Sequence, residues 1–292
     1  GAIPELYPDA YVTRANARLK VVVTLMILAG VSLAGMAVSC KDAGWSDVAE
    51  GRWIVAGVVV GVSLLGLLIS FGVTSRPAAS PEARFPWNGP LETVRQVAAI
   101  GDDALLRVTV GTNVFVWSVG SLLVPLVNVM TKDEFHRDES FSGYFIATEF
   151  IGVALGGLIG GRLATGRRWY RLLAPGTTAM AVLLALMPSA MALPESTRTL
   201  TVFALMAAMG IAGGLVLIPC EAFIQTRPPA DHKGRVIAAA NCLVFCGIFL
   251  SGPAASGLTA VMSSSDGFLV TGLAALPVAV WLWLRLGRGT LE

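Results

Sequence analysis

Charge is scarce in this sequence: Asp, Glu, Lys and Arg make up 14% of its 292 residues, against about 25% in an ordinary soluble domain. With 55% apolar residues, a chain of this size has too little interior to hide its apolar surface from water, so a soluble enzyme is excluded. Histidine occurs only at His136 and His232, and the four cysteines, Cys40, Cys220, Cys242 and Cys246, form no C-x-x-C pair. That spacing builds neither a metal centre nor a redox motif. It is also too sparse for a disulfide scaffold. Cys242 and Cys246, four apart on one helix face, read as packing residues. No cofactor is expected. No basic run exceeds two residues and the net charge is only +2, which argues against a nucleic-acid partner.

Long apolar runs, by contrast, are abundant. About 20 residues of helix cross a hydrocarbon core, and eight stretches are long enough: 19–39, 53–74, 108–130, 141–162, 172–193, 200–224, 235–262 and 267–286. Outer-membrane strands would alternate in polarity; these stretches do not. The fold expected is an all-α integral membrane protein with membrane lipid as its solvent.

Eight crossings put both chain ends on one side, and the loops then divide into two sets. Sixteen of the 21 basic residues fall in the set that contains the termini; only Lys41, Arg52, Lys132, Arg137 and Arg198 fall in the other. The positive-inside bias therefore predicts cytoplasmic termini. The chain opens on Gly1 with no signal peptide, and its start is read as truncated. Its longest loop, about 75–107, begins with Arg76, Pro77, Ala78, Ala79, Ser80 and Pro81 and turns amphipathic, with Leu91, Val94, Val97 and Ala98 on one side. It separates two spans from six. The expected organisation is a partial first bundle over 1–75, a cytoplasmic linker over 76–107 and a second bundle over 108–292.

Polar side chains inside spans are costly and face a bundle interior or a wet path. Asn113 and Asn128 lie in the third span, Glu149 in the fourth, Glu221 beside Pro219 in the sixth and Asn241 in the seventh. Glu149 reads either as a substrate or proton-coupling group or as a protonated carboxyl bonded between helices. Glu221 either serves function or simply reaches water from the cytoplasmic end. Asn113 and Asn241 read as interhelical hydrogen-bond glue or as ligands. The second, fifth and eighth spans hold no such residue in their apolar middles and are expected to face lipid, with Trp281 and Trp283 in an interfacial belt. Gly152, Gly156 and Gly160 recur every four residues, and Gly210, Gly213 and Gly214 precede Pro219. Both sets predict close helix approach, and the proline a bend.

Three segments carry a family resemblance. Gly157-Leu-Ile-Gly-Gly161-Arg162-Leu-Ala-Thr-Gly166-Arg167-Arg168 resembles the glycine and arginine signature in cytoplasmic loops of major facilitator transporters, with Gly161 where an acid is usual. Gly1-Ala-Ile-Pro4-Glu5-Leu6-Tyr-Pro8 followed by Arg14-Ala15-Asn16 is similar to the segment between helices four and five of the bacterial lysophospholipid transporter (LplT-like) family, with Ala17 in place of a usual glycine. Pro219-Cys-Glu221-Ala222-Phe-Ile-Gln225-Thr-Arg227 and Lys233-Gly234-Arg235-Val-Ile-Ala-Ala-Ala-Asn241 resemble the same family further on, where Asn is common at the position of Glu221.

The resemblance implies helices five to twelve of a twelve-helix major facilitator fold, so that the three apolar spans become the lipid-facing helices six, nine and twelve. It implies transport of lysophospholipids, chiefly lysophosphatidylethanolamine, to the cytoplasmic leaflet of a bacterial inner membrane for re-acylation. A fused or associated acyltransferase and acyl-carrier-protein ligase would be partners. In that frame Asn113, Trp117, Glu149, Glu221 and Asn241 are the residues available to hold the ammonium or phosphodiester. Gly157, Arg162, Gly166, Arg167, Arg168, Gln225, Arg227 and Arg235 mark the cytoplasmic gate. Competing expectations are a carrier of another amphiphile coupled to protons or sodium, and a membrane anchor for a fused acyltransferase. Without helices one to four the chain alone is not expected to transport.

Overall fold

In the computed structural model, residues 8–39, 48–72, 87–164, 169–229 and 232–287 are described, and their regular structure is entirely helical. The helices are α1 (Asp9–Ser39), α2 (Val48–Ser70), α3 (Gly89–Asp102), α4 (Ala104–Asp133), α5 (Glu139–Leu163), α6 (Leu173–Ala185), α7 (Met187–Met191), α8 (Glu195–Thr226), α9 (Lys233–Val261) and α10 (Ser264–Gly287), with a 3-10 turn at Trp169–Leu172 before α6. Among the described residues, seven stretches are long and apolar enough to cross a membrane, from Trp53–Ser70 to Ser264–Leu286. They correspond to the second through eighth expected spans. The first, 19–39, falls in α1, where the side chains of 31–39 lie outside the described residues, as does the proline-rich start of the long loop.

The chain divides into two compact units, one of residues 23–84 and one of 1–22 with 85–292. In the smaller unit α2 leaves nearly all its side chains from Trp53 onward exposed. An apolar surface of that kind is stable only against lipid or other helices.

In the larger unit α4, α5, α6, α7, α8 and α10 share the main core, while α9 packs in a smaller cluster with α3 and α4. Val116, Leu123, Leu126 and Met130 of α4 meet Phe145 of α5, Met180 and Leu184 of α6, and Met206, Met209 and Val216 of α8. The glycine expectation is met most directly between α5 and α8. A Cβ on Gly152, Gly156, Gly210 or Gly214 would strike the backbone carbonyl of Ala207, Ile211, Glu149 or Val153 respectively. The two backbones are thus in contact, an approach that only residues without side chains permit. Gly272 does the same for α10 on α6, 2.7 Å from Ala181 O and Ala185 N in the same sense.

The fifth expected span is broken. Pro188, at the start of α7, cannot supply a backbone N–H, and the helix restarts there. This span and the eighth were expected to face lipid. Each does keep an exposed face, with Val182, Leu186, Leu273 and Trp283 on it, while the opposite face is buried core. The apolar side expected in the linker helix α3 is divided: Val97 packs with Ile100 against Val236 and Ala239 of α9, while Leu91 and Val94 are exposed. Cys242 and Cys246 are exposed free thiols on α9, not packed in the core; α9 turns its other side toward α4, where Gly247 lies against Ser118.

Helix ends are closed by carboxylates. Asp103 accepts from Leu105 N and Leu106 N, both at 3.0 Å, at the start of α4, and Glu134 Oε1 accepts from Ser265 N at 2.9 Å at the start of α10.

Candidate functional site

Pro219 interrupts α8 where its backbone N–H would have bonded the carbonyl four residues back. Glu221 follows it within one turn, and side chains of α1, α4, α5, α6 and α8 line a cavity of about 120 Å³. Its wall is mostly apolar, from Val116, Leu123, Val153, Met180 and Leu217, and the polar groups on it are few: Lys20, Trp117, Ser121 and Glu149. A second cavity of about 50 Å³ is lined by Asn113, Glu221, Gln225 and Asn241.

A polar cluster lies between the two. The Lys20 ammonium sits over the Trp117 ring, 4.4 Å from its centroid, within the range of a cation–π attraction. The Trp117 indole N–H donates to the Glu221 carboxylate, and that carboxylate attracts Lys20 across the same ring. Asn113 is only 5% exposed, and its Oδ1 has no hydrogen-bond partner. Buried polar atoms are normally satisfied, so this acceptor stands out.

All five of the expected polar residues therefore line a cavity, but not one and the same cavity. Trp117 and Glu149 belong to the larger space; Asn113, Glu221 and Asn241 belong to the smaller. The sequence reading missed Lys20, which stands at the edge of an apolar run and was weighed only as a topology charge. Its position one helical turn after Asn16, beside the segment that carries the resemblance, is the signal that could have found it; Asn16 is itself held by a long-range bond.

That bond joins two of the segments that carried the resemblance. Asn16 Nδ2 donates to Gln225 Oε1 at 3.1 Å, and Gln225 Nε2 donates back to Asn16 Oδ1 at 3.3 Å. The third segment meets them: a Cβ on Gly161 would lie 3.2 Å from that of Ala17. Small residues at both positions let α1 rest directly on the end of α5. Arg162 shares a concavity of about 270 Å³ with Arg14 and Arg18, and Gly157 lies under the Ile218 side chain. Gly166, Arg167 and Arg168 lie outside the described residues.

Two further ion pairs tie the same end together. Arg227 Nε donates to Asp103 Oδ2 at 2.8 Å, and Arg235 approaches Glu92 at 4.0 Å. Partial burial raises the Asp103 pKa, but the N–H bonds from Leu106 and Leu105 and the Arg227 guanidinium outweigh it and hold the carboxyl below its ordinary 3.8. The pair is half exposed, so most of its contribution comes from the cap. Asp103→Ala should cost about 1 kcal/mol of stability, and Asp103→Asn, which keeps a cap, appreciably less. A depressed folded-state pKa stabilises above the unfolded value and is lost as pH falls through the folded one. Thermal melts of wild type and Asp103→Asn should accordingly converge below about pH 3.8. A gap that persists there would remove the ion pair as its cause.

Residues 108–291 match the family model described as Major Facilitator Superfamily. The chain belongs to that superfamily. No curated protein matches the sequence. Membership makes the chain a major facilitator transporter and a multi-pass membrane protein, and it gives the cavity its meaning: carriers of this superfamily hold their cargo between helices near the bilayer midplane. Among the described residues no cluster of His, Cys, Asp and Glu is arranged to hold a metal ion. What the carrier offers a ligand is an apolar wall ending in one cation, two carboxylates and an indole.

Proposed function

We propose that this carrier moves lysophospholipids, chiefly lysophosphatidylethanolamine, from the outer to the cytoplasmic leaflet of a bacterial inner membrane, where an acyltransferase restores the second chain. The observation that carries this reading is the polarity of the larger cavity: a mostly apolar wall with few polar groups, among them Glu149 and Lys20 seated over Trp117. A single-tailed lipid has that division, since an acyl chain gains about 0.8 kcal/mol per buried CH2 and a charged head group needs hydrogen-bonding partners wherever water is excluded. The junction of the Asn16, Gly161 and Gln225 segments supports the reading, because these are the stretches in which the chain resembles lysophospholipid transporters. The basic residues around that junction, Arg14, Arg18, Arg162 and Arg227, favour a cytoplasmic position for it under the positive-inside bias.

Glu149 favours a second reading. A carboxyl on the wall of a cavity that also holds Lys20 suits a proton- or sodium-coupled carrier of another amphiphile. Spheroplasts that express the full-length protein should internalise labelled lysophosphatidylethanolamine well above vector controls. Uptake no faster than the controls rejects the first reading, and competition by unrelated amphiphiles but not by lysolipids supports the second. Normal lipid repair with Glu149→Gln and Asn113→Ala, but none on deletion of the whole bundle, would reduce the chain to an anchor.

A further inference from the structure

The polar groups at the head of the cavity occur in a fixed order. The apolar space lined by Leu123, Met180 and Leu217 carries Glu149 on its wall, and its one cation is Lys20, over one face of Trp117. Next comes Glu221, bonded to the indole N–H, and beyond it, in the smaller cavity, the unpartnered Oδ1 of Asn113. The sequence runs apolar, cationic, anionic, acceptor.

We propose that Lys20 and Glu221 form a split receptor for a zwitterionic head group, in which Lys20 takes a phosphodiester and Glu221, with Asn113 Oδ1, takes the terminal ammonium. The assignment rests on the lysophospholipid reading and adds to it the orientation of the head and the residues that select it. In a lysophospholipid with an ethanolamine head the order is tail, phosphodiester, two-carbon spacer, ammonium, which is the complement of the wall read in the same direction.

The electrostatics make the exchange balanced. Without ligand, Lys20 and Glu221 compensate each other across the Trp117 ring, so neither charge stands alone where water is scarce. A zwitterion replaces this one attraction by two, so neither Lys20 nor Glu221 is left uncompensated when the head group binds. An anionic head would satisfy Lys20 and strand Glu221. An ammonium brings three donors, enough for Glu221, for the orphaned Asn113 oxygen and for the face of Trp117.

The test uses the full-length protein in detergent and in vesicles, with lysophosphatidylethanolamine as the zwitterionic probe and lysophosphatidylglycerol as a probe that keeps the phosphodiester and lacks the amine. Binding is read from ligand-dependent shifts in thermal unfolding, transport from appearance of labelled lipid in the inner leaflet. Glu221→Gln should weaken binding of the ethanolamine lipid about tenfold and leave the glycerol lipid within about twofold, and Lys20→Gln should weaken both about tenfold. The exchange K20E/E221K keeps both charges but reverses their order, so it should fold as wild type and still fail to bind the ethanolamine lipid. Recovery of binding in the exchange variant, or equal loss of both lipids in Glu221→Gln, overturns the receptor and leaves a structural latch. Head-group-selective, Glu221-dependent binding without transport upholds the receptor and overturns the transport reading. Transport without that selectivity does the reverse.

Discussion

Gly156→Leu is expected to leave almost no folded, monodisperse carrier. Even the first atom of a side chain at that position would fall 2.8 Å from Ile211 Cα and closer still to its carbonyl oxygen. Neither is the end of a flexible side chain, so relief requires α5 and α8 to separate along their length. Overpacking a core by a few methylenes commonly costs about 1–3 kcal/mol, and here the obstacle is backbone, at an interface that a neighbouring row of glycines has tightened. Separation would also open the cavity, since Glu149 and Val153 lie on the same stretch of α5 and Gly213 and Leu217 on the facing stretch of α8. Size-exclusion chromatography in mild detergent reads the outcome. Gly257→Ala on α9, where an added Cβ meets nothing within 4 Å, is the control and should be neutral or slightly stabilising through helix propensity. A well-folded Gly156→Leu protein with wild-type melting would show that the two backbones are not held in contact.

Trp117→Phe has the second largest expected effect. The ring survives, so the wall of the cavity and part of the attraction for Lys20 are kept, but the indole N–H that reaches Glu221 is gone. An acceptor left unpaired away from water costs about 1–3 kcal/mol, and 1.4 kcal/mol is about tenfold in an equilibrium constant. Transport of the preferred lipid should fall about tenfold while the protein remains folded; Trp117→Ala, which also removes the face under Lys20, should fall further. If Trp117→Phe transports at the wild-type rate, the hydrogen bond to Glu221 does not shape the site, and Trp117 only fills space.

Some features of this carrier were set locally and were readable in order along the chain. Seven apolar stretches became membrane-length helices because length and hydropathy are properties of a segment, independent of what it packs against. The rows Gly152, Gly156 and Gly210, Gly214 announced a close helix pair because a missing side chain is visible before its neighbour is known. Pro219 marked the site for the same kind of reason, since the backbone bond that it removes is its own.

Partner choice was set by the tertiary structure alone. Asn16 and Gln225 stand 209 residues apart, and nothing in either segment's composition says that the two amides meet. Lys20 looked like a topology charge until α1 placed it over Trp117, and the apolar side of α3 held Leu91, Val94 and Val97 alike until packing covered Val97 in part and left the other two exposed. Sequence periodicity fixes that a helix has faces and that a charge has a cost. Which face is buried, and which opposite charge offsets that cost, depends on distances in space that only the packed helices define.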